Sequence, residues 1–162
     1  MPCKAVRIEV LKTFAIYFNI MDQRAYGLEI NKDIDALLKR HGITPTQQRR
    51  NIARLLFAKA QHLSADQVLA RVNQEKSVAS KATIYNTLGL FARKGLVNVV
   101  IVDPSKVFYD SNTRSHHHFY NSETGELIDI DSDQLKLANL PITPQGTELH
   151  KVDIILHVQP KQ

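Results

Sequence analysis

The stretch 80–110 constrains the fold most, because a long amphipathic helix is followed directly by a predicted hairpin. Ser80 can cap the start of this helix, and Gly95 can end it in a left-handed conformation. One face of the helix is apolar, at Ile84, Leu88 and Phe91. Two strand-like runs follow, 96–102 and 107–110, with a turn sequence between them. We therefore predict one helix packed beside a two-stranded antiparallel hairpin.

Three further helices are predicted upstream, within residues 33–41, 44–57 and 64–74. Their apolar residues recur at helical spacing, and Ser64 followed by Gln67 fits a capping box. Several helices followed by a β-hairpin are the order of a winged helix–turn–helix module. In that module the last helix enters the major groove of DNA with its N-terminal residues leading.

Residues 33–111 are therefore predicted to be a winged-helix DNA-binding domain. The candidate DNA-binding residues are Arg49, Lys81, Thr83, Tyr85 and Asn86. Lys81 suits a phosphate contact, and Asn86 can pair with an adenine edge. Tyr85 can lie on thymine methyl groups. The alternative is a surface helix with ordinary polar residues.

The charge distribution favours the DNA-binding alternative. The chain has 21 Lys and Arg side chains against 16 Asp and Glu. The basic surplus lies entirely in residues 1–111, whereas residues 112–162 have more acidic than basic side chains. A basic N-terminal part of the chain indicates contact with a polyanion such as double-stranded DNA.

The cysteine content and the hydropathy of the chain indicate the cellular compartment of the protein. The only cysteine is Cys3, so an internal disulfide and a four-cysteine zinc site are both excluded. The apolar patch 10–20 is too short to span a bilayer and lacks a following cleavage site. We expect a cytoplasmic protein without a membrane partner. Residues 1–32 form an N-terminal extension to which the sequence assigns no role.

Residues 114–130 contain three consecutive histidines, His116, His117 and His118, beside two predicted strands joined at Gly125. Because strand side chains alternate, His116 and His118 should share one face and His117 the other. Imidazole is a common ligand of transition metals and of haem iron. The triplet is therefore a candidate metal or haem site. A solvated strand end, or a purification tag, is the alternative.

The last part of the chain, residues 112–162, is predicted to pair with a second copy. Its strand-forming apolar residues are Leu127, Ile128, Ile130, Val152, Ile154 and Leu156. A domain of about fifty residues buries little surface alone, so a homodimer is expected. The chain as a whole is then α+β: an N-terminal winged helix–turn–helix domain and a small C-terminal dimerisation domain.

Three motifs together resemble the ferric uptake regulator (Fur) superfamily: S-K-A-T-I-Y-N-T-L, G-I-T-P-T-Q-Q-R and H-H-H-F-Y. The resemblance covers about residues 35–158. Within the superfamily the chain is most similar to the iron response regulators (Irr), through S-H-H-H-F-Y-N-S-E-T-G-E-L-I-D-I-D and through the tail L-P-I-T-P-Q-G-T-E-L-H-K-V-D-I-I-L-H-V. The resemblance implies a homodimeric repressor or activator with a C-terminal α/β dimerisation domain.

The resemblance also implies one metal site, formed by His62, Asp110, His116 and His118. His62 precedes the third helix and Asp110 ends the wing, so the first two ligands come from the DNA-binding domain. The implied ligand is Fe²⁺, Mn²⁺ or Zn²⁺, or haem bound by the histidine triplet. An ion held by all four residues would fix the angle between the two domains.

The chain departs from the family pattern at several positions. Asn121 and Thr124 stand where typical members have zinc-binding cysteines, so no structural four-cysteine zinc site is expected. A second regulatory site would be incomplete, with only His117 and His150 in place. The order Pro2-Cys3 reverses the Cys-Pro haem motif of some iron response regulators.

The predicted function is an iron-responsive transcription regulator of iron homeostasis and haem biosynthesis genes. Its DNA binding would be modulated by haem or by a divalent metal. A metal or peroxide sensor of the Fur, PerR or Mur type is the nearer alternative. A metalloenzyme that uses the histidines with Asp110 is the more distant one. We predict no catalytic residues and no enzymatic activity.

Overall fold

A computed structural model of the chain describes residues 33–161. The predicted extension 1–32, with its apolar patch, lies outside the described residues. The described chain divides into two compact units. The first comprises residues 33–101 and 106–113, and the second comprises residues 102–105 and 114–161. No helix among the described residues is long and apolar enough to cross a membrane.

The first unit contains all four predicted helices. They are α1 (Ile34–Arg40), α2 (Gln47–Phe57), α3 (Ala65–Val72) and α4 (Lys81–Arg93). Thr46 caps α2, since its side chain accepts a hydrogen bond from the Arg49 amide. The predicted capping box of α3 is also present. Local hydrogen bonds of this kind satisfy the amides that a helix start leaves unpaired.

The helices of the first unit pack on a shared apolar core. Its most deeply buried side chains are Leu38, Ile52, Leu56, Val68, Ile84, Leu88 and Phe91. The apolar row predicted on α4 therefore faces inward. Burying each such side chain contributes about 1.5–3 kcal/mol, so this core fixes α4 against α2 and α3. The polar side chains at the start of α4 are left on the outer surface.

The wing is a three-stranded sheet and not a simple hairpin. Strand β1 (His62–Ser64) was not predicted; it precedes α3 and pairs antiparallel with β3 (Lys106–Asp110). Strand β2 (Asn98–Asp103) lies on the other side of β3, giving the order β1-β3-β2. A three-residue strand has too few residues for alternation to be visible, and its conformation depends on pairing with a distant segment.

An ion pair joins the first two helices. Arg50 of α2 donates two hydrogen bonds to the Asp35 carboxylate of α1, at 2.6 and 2.9 Å. This bidentate contact lowers the pKa of Asp35 and raises the pKa of Arg50. Two parallel hydrogen bonds also set the relative direction of the two side chains.

The second unit is built on a mixed three-stranded sheet of order β5-β4-β6. The central strand β4 (His116–Asn121) pairs antiparallel with β5 (Leu127–Asp131) and parallel with β6 (Ile155–Val158). The predicted strand through Val152 and Ile154 was placed too early, since β6 begins at Ile155. The Ile154 carbonyl nevertheless accepts a hydrogen bond from the His118 amide at 3.0 Å.

Between β5 and β6 the chain has little regular structure. A single 3₁₀ turn, Ser132–Gln134, follows β5 directly. Residues 135–154 form neither helix nor strand, and within the described part of the second unit no α-helix is present. The sheet thus supplies most of the ordered framework around the histidine triplet.

Candidate DNA-binding helix and metal-ligand pairs

The start of α4 presents the predicted DNA-reading residues at the surface. Lys81, Tyr85 and Asn86 are exposed, whereas Thr83 is half-buried. Ser80 caps the helix by accepting a hydrogen bond from the Thr83 amide, and its hydroxyl lies 2.9 Å from the Thr83 hydroxyl. The cap therefore fixes where the first turn begins, and with it the direction of the exposed side chains.

Lys81 is held by two contacts on the surface of the first unit. Its Nζ lies 3.1 Å from Oδ1 of Asp66 on α3 and 5.6 Å from the centre of the Tyr85 ring. The hydrogen bond with Asp66 raises the pKa of Lys81, so the ammonium stays charged. An ammonium over an aromatic face is also attracted by the electron-rich ring.

A polar groove of about 250 Å³ separates the first turn of α2 from α4. It is lined by Thr46, Gln48, Arg49, Thr83, Asn86 and Thr87. The structure thus brings together three of the predicted DNA-binding residues, and it adds Gln48, which the sequence analysis missed. No periodicity marks Gln48, because only the packing of α2 against α4 places it there. Arg49 Nη1 donates a hydrogen bond to the Thr44 carbonyl at 2.8 Å.

Two predicted metal ligands lie side by side in the first unit. His62 of β1 and Asp110 of β3 are directly opposite each other in the antiparallel register. His62 Nε2 is 3.6 Å from Asp110 Oδ1, and Asp110 is fully buried. The same carboxylate oxygen accepts a hydrogen bond from the Asn112 amide at 2.7 Å. A buried carboxylate beside an imidazole is a donor set that suits a divalent cation.

The other two predicted ligands form a second pair within the second unit. The Nε2 atoms of His116 and His118 are 2.9 Å apart, and their rings meet edge to face. His116 Nδ1 lies 2.8 Å from the Arg114 carbonyl, which can only accept a hydrogen bond. That contact places the proton on Nδ1 and turns the Nε2 lone pair toward His118. Metal-binding histidines typically have such a carbonyl partner on the far nitrogen.

Asp129 is a site residue that the sequence analysis missed. It lies opposite His118 in the register of β4 and β5, and its Oδ1 is 3.7 Å from Nε2 of His116. Its side chain is largely buried, with 13% of its surface exposed. The alternation I-D-I-D in β5 carries the signal, because it puts Asp129 on the face opposite to that of Ile128 and Ile130.

His117 and His150, the two residues of the predicted second site, differ in their surroundings. His117 pairs with Ile130 in the register and is buried. Among the described residues, none forms a hydrogen bond with its Nδ1. His150 is exposed and lies in the irregular stretch 135–154. The alternation along β4 keeps His117 away from the His116–His118 pair, as predicted.

A hydrogen-bonded turn contains Asn121 and Thr124, the positions at which the resemblance places cysteines in typical family members. The Asn121 side-chain oxygen accepts hydrogen bonds from the amides of Glu123 and Thr124, at 3.0 and 3.2 Å. The Gly125 amide donates to the Asn121 carbonyl at 2.8 Å. Gly125 has a φ of 72°, which favours glycine. Asn121 therefore closes this turn through hydrogen bonds.

The His116–His118 pair fits a small ion better than haem. Two nitrogens 2.9 Å apart can both lie about 2.1 Å from one ion, with an angle of about 90° between the bonds. Two axial ligands of one haem instead lie on opposite sides of the iron, about 4 Å apart.

Comparisons with known proteins agree with the fold and with the motifs. Residues 40–157 match the model of the ferric uptake regulator family. The peroxide-responsive repressor PerR of Staphylococcus aureus is 33% identical over 100 residues, which are 62% of this chain and 68% of that protein.

Solved structures of two ferric uptake regulators share the fold. The protein from Pseudomonas aeruginosa, solved with manganese, is 23% identical to this chain, and the TM-score is 0.59. The match covers 79% of this chain and 98% of the Pseudomonas chain. The protein from Vibrio cholerae is 21% identical to this chain, and the TM-score is 0.61. The match covers 78% of this chain and 99% of the Vibrio chain. The family match spans most of the chain. The chain therefore belongs to the ferric uptake regulator family, whose members regulate transcription and are not enzymes.

Proposed function

We propose that this chain is a homodimeric repressor or activator whose affinity for double-stranded DNA depends on a bound divalent metal ion. The observation that carries the proposal is the convergence of two buried imidazoles, with the Nε2 atoms of His116 and His118 2.9 Å apart. Nothing in the apolar packing of a sheet requires two histidines to face each other in this way. A shared cation would hold the two Nε2 atoms in place of the hydrogen bond that now joins them.

The proposed ligands are His62 and Asp110 from the first unit and His116 and His118 from the second. Asp129 is a candidate fifth ligand, because it is near His116. An ion bound by residues of both units would favour one arrangement of the two units over others. DNA affinity would then change by the difference in ion affinity between those arrangements.

Nitrogen and oxygen ligands suit Mn²⁺, Fe²⁺ and Zn²⁺, and their affinities follow the Irving–Williams order. Haem bound by His116, His117 and His118 is the other ligand that the triplet suggests. Haem binding would require His116 and His118 to separate, since their Nε2 atoms now face each other. We therefore propose the divalent ion as the ligand of this arrangement and haem as the ligand to be tested against it.

We propose further that the regulated genes serve iron homeostasis and haem biosynthesis. The support is the sequence resemblance to the iron response regulators in residues 115–131 and in the tail. A peroxide-sensing repressor is the second candidate, because PerR of Staphylococcus aureus is 33% identical to the chain over 100 residues. If the second candidate holds, hydrogen peroxide should abolish DNA binding by the Fe²⁺-loaded protein and spare the Mn²⁺-loaded protein.

An apolar stripe on the second unit supports the proposed homodimer. Ile128 and Leu156 both pair with Phe119 in the register, so these three side chains form a row on one face of the sheet. Val158 lies on the same face, and the exposed fractions of Ile128, Leu156 and Val158 are 59%, 39% and 38%. A small domain with such a row is stabilised when a second copy covers it.

Selection from a random DNA library tests the proposal directly. The purified protein is used with Mn²⁺, with haem, and with a chelator. We expect one defined sequence, with two similar half-sites, to be enriched with Mn²⁺ and not with the chelator. Equal enrichment under all three conditions would exclude metal control. Enrichment with haem alone would identify haem as the activating ligand, and the absence of any enriched sequence would exclude specific DNA binding.

A further inference from the structure

The carboxylate of Asp66 lies beside the proposed DNA-reading surface. It is in the first turn of α3, and its Oδ1 is 3.1 Å from the Nζ of Lys81 in the first turn of α4. The side chains of Lys81 and Asp66 are 65% and 67% exposed, so the pair lies at the surface where DNA would approach. The same Nζ lies over the Tyr85 ring, 5.6 Å from its centre.

Lys81 cannot make its best contact with Asp66 and with a DNA phosphate at the same time. The ammonium is a compact charge, and it already contacts the Asp66 carboxylate and lies over the Tyr85 ring. An exposed ion pair is weak, so a phosphate can displace Asp66. The displacement nevertheless subtracts from the affinity that Lys81 supplies.

Resting on the proposed DNA-binding role of α4, we propose that Asp66 competes with DNA phosphates for Lys81 and so limits the affinity of the protein for DNA of any sequence. Asp66 acts on DNA binding through Lys81 and does not itself read a base. Contacts to phosphate supply nearly all of the affinity for random DNA. Asp66 therefore acts mainly on non-specific binding, and it keeps the protein from being held on the many random sites of a chromosome.

Local structure makes Asp66 a suitable position for substitution. The reciprocal hydrogen bonds of Ser64 and Gln67 cap the start of α3, and Asp66 is not one of the capping residues. Asp66→Asn preserves the shape of the side chain and removes its charge. Glu75→Gln is the matched control, because Glu75 is exposed in the connection between α3 and α4 and the substitution changes the net charge equally.

The experiment measures the affinity of the full chain, loaded with Mn²⁺, for a random-sequence duplex at several salt concentrations. Asp66→Asn should raise the affinity about two- to fivefold at low salt, as expected for the loss of an exposed ion pair. The slope of log affinity against log salt should change little, because Lys81 contacts a phosphate in both proteins and the number of neutralised phosphates is the same. Asp66→Glu, which keeps the charge, should resemble the unsubstituted protein.

Three results would overturn the proposal: an unchanged affinity in Asp66→Asn, an equal gain in Glu75→Gln, or a gain that persists when Lys81 is also alanine. The second result would mean that net charge alone is responsible. Asp66→Ser serves as a second neutral variant, and melting curves check that both variants are folded. Failure of the DNA-binding role itself is distinguishable, because the unsubstituted protein would then not bind the duplex.

Discussion

His116 and His118 face each other on one side of β4, with their Nε2 atoms 2.9 Å apart, while His117 between them lies on the opposite side. This relationship follows from strand alternation, which places every second residue on the same face. His117 is therefore a control for His116 and His118 within the same strand. A metal ion at the proposed site should use the outer two histidines and not the middle one.

The first prediction concerns these three residues. His116→Ala and His118→Ala should each weaken Mn²⁺ binding by at least about tenfold, the lower end of the cost of losing even an outer partner of a metal site. His117→Ala should bind Mn²⁺ as the unsubstituted protein does. Calorimetric titration of the purified variants measures this. Equal losses in all three variants would mean that all three histidines contribute to the Mn²⁺ site.

Asp110 provides the second prediction. It is fully buried, so its carboxylate is costly in the absence of a cation. Asp110→Asn should leave the melting temperature of the metal-free protein unchanged or higher, because it removes a buried charge. The stabilisation by saturating Mn²⁺, about 2.7 kcal/mol at one hundred times the dissociation constant, should be largely lost. A metal-free variant that melts well below the unsubstituted protein would instead assign Asp110 a structural role.

The elements that sequence analysis predicted well are those fixed by nearby residues. The caps at Ser64 and Ser80 lie within three residues of the amides that they bind, so the sequence alone shows them. Strand β1 was missed because its conformation depends on β3, more than forty residues away. The late start of β6 has the same cause, since its register is set by pairing with β4.

The third prediction tests the reading surface. Tyr85→Ala and Asn86→Ala should each reduce discrimination between the selected sequence and a single-base variant by about 1–3 kcal/mol. Gln47→Ala is the control, because the Gln47 amide is already bonded to Asn51 of the same helix at 3.0 Å. Competition binding with labelled duplexes measures the ratio. If Tyr85→Ala and Asn86→Ala weaken specific and random duplexes equally, α4 does not read bases.

The fourth prediction follows from the ion pair of Asp35 with Arg50. The hydrogen bond from Arg50 lowers the pKa of Asp35 below its ordinary value of 3.8. The pair therefore adds stability above that value and loses it as pH falls through the lowered folded-state pKa. Between pH 5 and pH 3 the melting temperature of Asp35→Asn should fall less steeply than that of the unsubstituted protein. Parallel slopes would show that the pair contributes nothing measurable.

The candidate site was predicted only in part, and the reason is physical. His116 and His118 could be assigned to one face because alternation is a local property of a strand. Asp129 could not be assigned, since its position beside His116 depends on the register of β5. The contact of Asp66 with Lys81 could not be predicted either, because it joins two helices and no short sequence pattern specifies how they pack.

The last prediction concerns the apolar stripe of Ile128, Leu156 and Val158. In a symmetric dimer the same residue is buried twice, so one substitution removes two contacts. Ile128→Asp should therefore cost on the order of 3–6 kcal/mol of association, which raises the dissociation constant by two to four orders of magnitude. Sedimentation velocity at micromolar protein should show dimers for the unsubstituted chain and monomers for the variant. Leu137→Asp makes the same chemical change at a side chain that is 43% exposed and lies outside the sheet, and it should stay dimeric. Dimers of Ile128→Asp as tight as those of the unsubstituted chain would show that another surface joins the two copies.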